Sequence, residues 1–119
     1  MRNEIITKDE QEGGIISNTR QVLRLKTRGG SYEDIDLSEL VFIQSQGHYM
    51  LYRTVDKVYL SRQYNMKNLL PELPENFVRC NRCYAINKDF IVNIVGNHKF
   101  VELEGEEYRI PIGKNIVIR

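Results

Sequence analysis

The chain has 119 residues, of which 41% are hydrophobic and 28% are charged, and its formal net charge is +1. This length fits a single globular domain, and no apolar run is long enough to cross a bilayer, which excludes a transmembrane protein. The charged start, M-R-N-E-I-I-T-K-D-E, lacks the apolar segment of a signal peptide, so the sequence predicts a cytoplasmic protein without membrane contact.

The first 20 residues differ in character from the rest of the chain. They are polar, contain Gly13 and Gly14, and show neither helical nor strand periodicity. We therefore predict a flexible N-terminal tail or linker over residues 1–20 and one folded domain over residues 21–119.

From residue 22 onward, short apolar runs and alternations separated by turn residues predict a series of strands. They cover residues 22–28, 32–35, 40–45, 49–54, 57–61, 90–95, 99–104 and 107–112, with shorter pieces at residues 77–78 and 84–86. One short helix is predicted after Asn65 as its N-cap, with an apolar stripe over residues 66–73 and with Pro71 and Pro74 ending it early. The pattern predicts a mostly β fold of about nine or ten short strands in small packed sheets, with one short helix.

Residues 77–87, F-V-R-C-N-R-C-Y-A-I-N, combine apolar ends with a cationic, hydrogen-bonding centre. Arg79, Asn81 and Arg82 lie in this centre, so the segment is expected to bury its ends and present its middle. Planar arginine and asparagine groups match base edges and phosphates, which favours a DNA-facing loop. Local composition alone also fits a solvated turn between two strands, because arginine is common in exposed turns.

The net charge of +1 is low for a protein that binds nucleic acid. The acidic residues, however, cluster within residues 33–39 and 102–107, which leaves Arg79, Arg82, Lys88 and Lys114 less opposed locally. The sequence allows a basic face without demonstrating one.

Cys80 and Cys83 form a single C-x-x-C pair. A zinc site would need two more ligands, and His48 and His98 are distant in sequence and lack finger spacing. A thioredoxin-like site would need a helix after the pair, whereas β-favouring residues follow. We therefore predict two reduced structural thiols and no metal site, with redox modulation of binding as the alternative.

Signatures of catalysis are missing from the sequence. It contains no nucleophile in a local catalytic motif, no P-loop, no dinucleotide-binding glycine motif and no H-E-x-x-H. We therefore expect neither an enzyme nor a cofactor.

Three segments resemble the LytTR family of bacterial DNA-binding domains. The family pattern F-x-R-x-H-R-S-x-x-V-N is met at Phe77, Arg79, Arg82 and Asn87. Residues 40–49, L-V-F-I-Q-S-Q-G-H-Y, resemble the family's strand and loop before the helix, and residues 110–115, I-P-I-G-K-N, resemble its closing I-P-V-S-R segment. The resemblance covers residues 22–119 and implies an all-β architecture of stacked sheets.

The resemblance also implies that three loops contact DNA, because the family reads successive major grooves through loops and bends the duplex between them. Carried over by position, the first loop supplies His48, the second Asn81 and Arg82, and the third Lys114 and Asn115. Candidate phosphate contacts are Arg62, Arg79 and Lys88.

The sequence departs from the family pattern in two loops. Asn81 replaces a histidine, and Gly113 and Lys114 replace serine and arginine. Lysine lacks the planar fork of arginine, so the third loop is expected to read its base less sharply. For Arg79, contact with DNA and pairing inside the protein both remain open, and Asn87 is expected to hydrogen-bond backbone.

The resulting hypothesis is sequence-specific binding of double-stranded DNA by a bacterial transcriptional regulator, at direct repeats and as a homodimer on DNA. In two-component response regulators of this family a receiver domain precedes the DNA-binding domain, and here it would lie outside this chain. The alternative is a β-rich protein-interaction module that uses the exposed edge of a hairpin such as residues 99–112.

Overall fold

The structure, a computed structural model, describes residues 5–9 and 19–118. The strands within these residues are β1 (Ile5–Asp9), β2 (Thr19–Lys26), β3 (Tyr32–Asp36), β4 (Leu40–Gln46), β5 (Tyr49–Thr54), β6 (Val58–Ser61), β7 (Phe77–Arg79), β8 (Tyr84–Asn87), β9 (Ile91–Val95), β10 (Phe100–Leu103) and β11 (Ile110–Pro111). The single α-helix of the described chain, α1, spans Met66–Leu69, and short 3-10 helices span Leu37–Glu39, Leu70–Glu72 and Lys88–Phe90. The prediction of a mostly β fold with one short helix is confirmed.

The predicted tail, residues 1–20, falls largely outside the described residues. Its described parts belong to β1 and to the start of β2, which pair in antiparallel register from Ile5 opposite Leu23 to Asp9 opposite Thr19. The boundary between tail and domain stays a prediction.

The strands form three antiparallel sheets within the described residues. The first sheet has the order β1-β2-β3, the central five-stranded sheet has the order β6-β5-β4-β8-β7, and the third sheet has the order β11-β10-β9. The central sheet is covered on both faces, because alternate side chains along its strands enter two separate apolar clusters.

The first cluster joins one face of the central sheet to β2, β3 and α1. Ile43, Met50 and Tyr52 point to this face, where Leu23 and Leu25 of β2 and Leu69 of α1 pack against them. Burying a side chain of this size stabilises the fold by roughly 1.5–3 kcal/mol relative to leaving it in water.

The second cluster joins the opposite face to the third sheet. A β-bulge after Leu40 lets the consecutive residues Val41 and Phe42 both face this cluster, which strict alternation would not allow. Val101 and Leu103 of β10 complete it from the other side. Arg53 adds a polar link between the sheets, since its Nε lies 2.8 Å from a carboxylate oxygen of Glu106.

The prediction of a strand over residues 107–112 is corrected: β11 contains only Ile110–Pro111. Residues 107–109 are exposed, and Pro111 has no N–H with which to extend the ladder. One further backbone hydrogen bond, from the Ile112 N–H to the Lys99 carbonyl at 2.8 Å, follows before the chain leaves the sheet.

The prediction of a short helix with Asn65 as its N-cap is confirmed. The Asn65 side-chain oxygen accepts the backbone N–H of Asn68 at 2.8 Å, which satisfies one of the free donors of the first turn. The α-helix ends at Leu69, and Pro71 lies in the 3-10 helix that follows it.

Asn87 is a fully buried polar residue at the end of β8. Its amide nitrogen donates to the Leu40 carbonyl at 2.9 Å, and its side-chain oxygen accepts from the Asn76 side chain and from the Asp89 backbone N–H. The predicted structural hydrogen bond of Asn87 to backbone is confirmed, and it ties β8 to the start of β4.

We expect Asn87→Ala to lower the free energy of unfolding by about 2–4 kcal/mol, because it leaves buried backbone and side-chain groups without partners. Urea denaturation measures the change. The matched control is Asn93→Ala on the exposed surface of β9. A loss at Asn87 no larger than at Asn93 would contradict the role assigned to this side chain.

Candidate nucleic-acid interface

Antiparallel pairing brings several connecting segments to one end of the central sheet. β4 and β7 end there, β5 and β8 begin there, and β6 ends there opposite Met50. We call this the loop end. Its segments are residues 27–31, 47–48, 62–64 and 80–83, of which the first is joined to β6 by the Thr27–Ser61 bridge.

The third loop, residues 112–115, joins the loop end through hydrogen bonds to the second loop. The Gly113 N–H donates to the Cys80 carbonyl at 2.7 Å, and the Asn81 side-chain nitrogen donates to the Pro111 carbonyl at 2.6 Å. A Cβ at Gly113 would meet the second loop only at an ordinary van der Waals distance, 3.5 Å from the Asn81 Cα, so the two hydrogen bonds account for the close approach. The second and third loops are thereby held side by side.

The first loop lies next to the second. The Ser45 N–H donates to the Cys83 carbonyl at 2.7 Å, one pair beyond the Gln44–Tyr84 pair of β4 and β8. The chain then turns at Gly47 and His48, and His48 is exposed. The predicted positions on all three loops are therefore brought to one end of the sheet.

Charge is distributed very unevenly between the two ends of the central sheet. The loop end, with residues 112–115 included, contains four cations (Arg28, Arg62, Arg82 and Lys114) and no aspartate or glutamate. The opposite end is formed by residues 37–39, 55–57, 74–76 and 88–90. It contains four acids and two lysines (Glu39, Asp56, Glu75, Asp89, Lys57 and Lys88). The low net charge of the chain thus conceals a basic end.

Arg79 pairs inside the protein. Its Nε donates to the Asn81 carbonyl and its second guanidinium nitrogen donates to the Arg82 carbonyl, each at 2.9 Å. The guanidinium, at the end of β7, thus fixes the backbone of the second loop.

The Asn81 side chain also forms hydrogen bonds within the protein. Its side-chain oxygen accepts the N–H groups of Cys83 and Tyr84 at 2.8 and 3.1 Å, while its nitrogen reaches Pro111. This Asx-type arrangement closes the turn and attaches it to the third loop. One N–H of the Asn81 amide and its oxygen are thus occupied within the protein.

Arg82, Lys114 and Asn115 are exposed. Arg82 and Lys114 make no side-chain hydrogen bond or ion pair with any residue that the structure describes. Asn115 has a φ of 69°, which places it in the left-handed region and turns the chain sharply after Lys114. These side chains are available to a partner outside the chain.

The remaining two candidates lie at different ends. Arg62 is exposed and follows β6 at the loop end. Lys88 follows β8 at the opposite end, in the 3-10 helix Lys88–Phe90, and the structure does not bring it together with the others.

Arg28 and Tyr49 are not among the site residues predicted from the sequence. The guanidinium carbons of Arg28 and Arg62 lie 5.7 and 5.6 Å from the centre of the Tyr49 ring, within the range of cation–π contact. Local sequence gives no signal for this contact, because Arg28 is brought near Tyr49 by the Thr27–Ser61 bridge and by its N–H bond to the Leu60 carbonyl, which join distant segments.

The two cysteines occupy different environments. Cys80 is buried in the second cluster and its Sγ donates to the Pro111 carbonyl at 3.2 Å, whereas Cys83 is exposed. Burial raises the pKa of the Cys80 thiol to about 11. The described residues contain no group of three or more histidine, cysteine or acidic side chains that could hold a metal ion.

We expect Asn81→Ala to lower the free energy of unfolding by about 1–2 kcal/mol, because three hydrogen bonds around a partly buried amide are lost. Urea denaturation against the exposed control Asn93→Ala measures it. Equal stability of the two variants would show that the contact between the second and third loops does not depend on the Asn81 side chain.

The raised pKa of Cys80 predicts slow alkylation. In a Cys83→Ser variant at pH 8, iodoacetamide should modify Cys80 about 100-fold more slowly in the folded protein than in urea, because little thiolate is present. A thiol whose pKa is raised by folding adds stability below pH 9, and that stability is lost as the pH rises towards 11. Equal alkylation rates in the two states would contradict the burial of this thiol.

No helix within the described residues is long and apolar enough to span a membrane.

Comparison with known proteins identifies the family. A family model described as the LytTr DNA-binding domain matches residues 30–117. Among solved structures, the chain is similar to the LytTr DNA-binding domain of a Bacillus cereus protein named as a methyl-accepting/DNA response regulator. The TM-score is 0.66, with 21% identity over 76% of this chain and 84% of that chain. At this identity the structural similarity concerns the fold, and no curated protein matches the sequence. The chain belongs to the LytTR family, which is a family of DNA-binding domains.

Proposed function

We propose that this DNA-binding domain recognises specific sequences in the cytoplasm as part of a bacterial transcriptional regulator, and that its loop end faces the duplex. The observation that carries this proposal is the segregation of charge, with four cations and no acid at the loop end. A DNA surface repels the opposite, acidic end, so charge alone selects the orientation.

Two exposed side chains are assigned to recognition. The Arg82 guanidinium can bind O6 and N7 of guanine with two parallel hydrogen bonds in the major groove, and the turn held by Arg79 and Asn81 aims it outward. Lys114 supplies a point charge without the planar fork, so its contribution is less selective among bases. The attachment of the third loop to the second supports a common footprint for both.

His48 and Asn115 are assigned supporting contacts from the first and third loops. Both are exposed, and either can donate to a base acceptor or a phosphate oxygen. Asn81 and Arg79 are assigned to positioning, because both side chains hydrogen-bond the backbone of the second and third loops. Lys88 is left out of this face, since it follows β8 at the other end.

The wider arrangement is part of the same proposal. Two protomers bind direct repeats on one side of the duplex, with loops in successive major grooves, and a receiver domain outside this chain supplies the signal. A homodimer on DNA fits the small size of the loop end, because one domain can present only a few base-reading side chains.

The test begins with selection of bound sites from random duplexes, followed by fluorescence anisotropy with the selected site and a scrambled duplex. Arg82→Ala should weaken binding to the selected site by about 5- to 150-fold and relax preference at one base pair. Lys114→Ala should weaken binding to both duplexes and reduce the salt dependence.

Lys57→Ala is the matched control, because it removes an exposed cation from the opposite end. Its backbone hydrogen bonds with Thr54 do not involve the side chain that is removed. If Lys57→Ala weakened binding as much as Arg82→Ala and Lys114→Ala, the loop end would not be the DNA-binding face.

A further inference from the structure

A cleft of about 510 Å³ lies at the loop end beside the first loop. Its lining residues are Lys26, Thr27, Arg28, Tyr32, Tyr49, Arg62 and Gln63. Three of these seven are basic, and none is acidic. A surface depression with this lining favours an anionic ligand.

The two arginines of the cleft are held close to one aromatic ring without a counter-ion. Arg28 and Arg62 both lie over Tyr49, and neither forms an ion pair with a described residue. Glu33 lines a neighbouring cleft that shares Arg28, yet it is not within ion-pair distance of the guanidinium. Like charges gathered in this way are stabilised when an anion binds between them.

Hydrogen bonds fix the backbone on both sides of the cleft. The buried Ser61 hydroxyl donates to the Lys26 carbonyl at 2.8 Å and accepts the Gln63 N–H at 3.1 Å. These bonds fix the backbone on both sides of Arg62. The Lys26 N–H donates to the Gln63 side-chain oxygen at 2.8 Å, and the Arg28 N–H donates to the Leu60 carbonyl at 2.9 Å. The cleft is therefore formed before any ligand arrives, which lowers the entropic cost of binding.

The position of the cleft relates it to the recognition loops. Tyr49 follows His48 directly, and Arg62 follows Ser61, which pairs with Met50. The cleft lies at the β6 side of the central sheet, whereas Arg82 lies between β7 and β8 at the other side. At about 4.8 Å per strand, three to four strand spacings separate them, or roughly 14–19 Å. A major groove is about 12 Å wide. This separation exceeds the width of the groove that Arg82 would enter, so the cleft would lie outside that groove, along the phosphate backbone.

We propose that this cleft is a clamp for the DNA phosphate backbone that sets affinity without reading sequence. The proposal rests on the DNA-binding face described above and adds a ligand to residues outside the three recognition loops. Each guanidinium can donate two parallel hydrogen bonds to a phosphate, and the Tyr49 ring keeps both in place. Because phosphates are the same at every base pair, the clamp strengthens binding to all duplexes equally.

Anisotropy titrations of the full chain test the clamp with the selected duplex and its scrambled form, over a range of salt concentrations. Arg28→Ala and Arg62→Ala should each weaken binding to both duplexes by the same factor, about 5- to 20-fold. Each should also reduce the slope of log affinity against log salt by about 0.9. Arg28→Lys and Arg62→Lys should keep that slope, because the charge remains.

A duplex with one methylphosphonate beside the selected site locates the contact. Moving this neutral linkage along each strand should reveal one position that weakens binding by the wild-type chain but not by Arg62→Ala, since both changes remove the same interaction. Lys57→Ala serves as the control and should lose affinity for this duplex as the wild type does.

The outcomes separate the two proposals. If Arg82→Ala weakens binding while both cleft variants bind as tightly as the wild type, the clamp is overturned and the recognition loops stand. If the cleft variants alter the ratio between selected and scrambled duplexes, the cleft reads bases and the clamp is also overturned. If the cleft variants weaken binding and Arg82→Ala does not, the clamp stands and the assignment of the loops fails. Urea denaturation of each variant checks that the fold is retained.

Discussion

The hydrogen bonds between residues 80–81 and residues 111–113 are the constraint on which the candidate interface depends. The three sheets have separate backbone ladders, and the loops that carry Arg82 and Lys114 leave two different sheets. If side-chain packing alone joined the sheets, the distance between these two loops would depend on the packing of one sheet against the other. Two short hydrogen bonds fix it, one from the Gly113 backbone N–H to the Cys80 carbonyl and one from the Asn81 side chain to the Pro111 carbonyl.

These hydrogen bonds between the second and third loops also explain why neighbouring polar residues have different roles. Arg79 and Asn81 turn their donors inward and shape the second loop, whereas Arg82 points into solvent. Replacing one inward residue would therefore disturb recognition indirectly, through loop geometry. Sites that contact a ligand with precision commonly depend on such supporting residues.

Much of the fold follows from local pattern. Alternation along residues 22–61 predicts β2 to β6 closely, and Asn65 marks the start of α1 because an amide oxygen is well placed to cap a first turn. The last strand is overestimated at its start, because Glu107, Tyr108 and Arg109 are exposed and do not pair with β10. The bulge beside Val41 is also invisible in sequence, since it depends on the pairing with β5.

The candidate site is only partly predictable. Motif resemblance identifies Arg82, Lys114 and His48, but it cannot distinguish them from Arg79 and Asn81, whose donors are engaged in the structure. Arg28 has no motif at all, because it meets Tyr49 through contacts between segments that are distant in sequence. Net charge misleads for a related reason: it sums over a surface whose two ends have opposite signs.

The separation of charge along β4 gives the domain an electric dipole parallel to its strands. Seven residues of β4 span roughly 20 Å between the cationic and acidic ends. In the field of a polyanion, such a molecule experiences a torque that rotates it during diffusion, before any atom touches. A nearly neutral domain can thus approach a duplex already oriented, while its weak overall attraction allows it to leave sites that do not match.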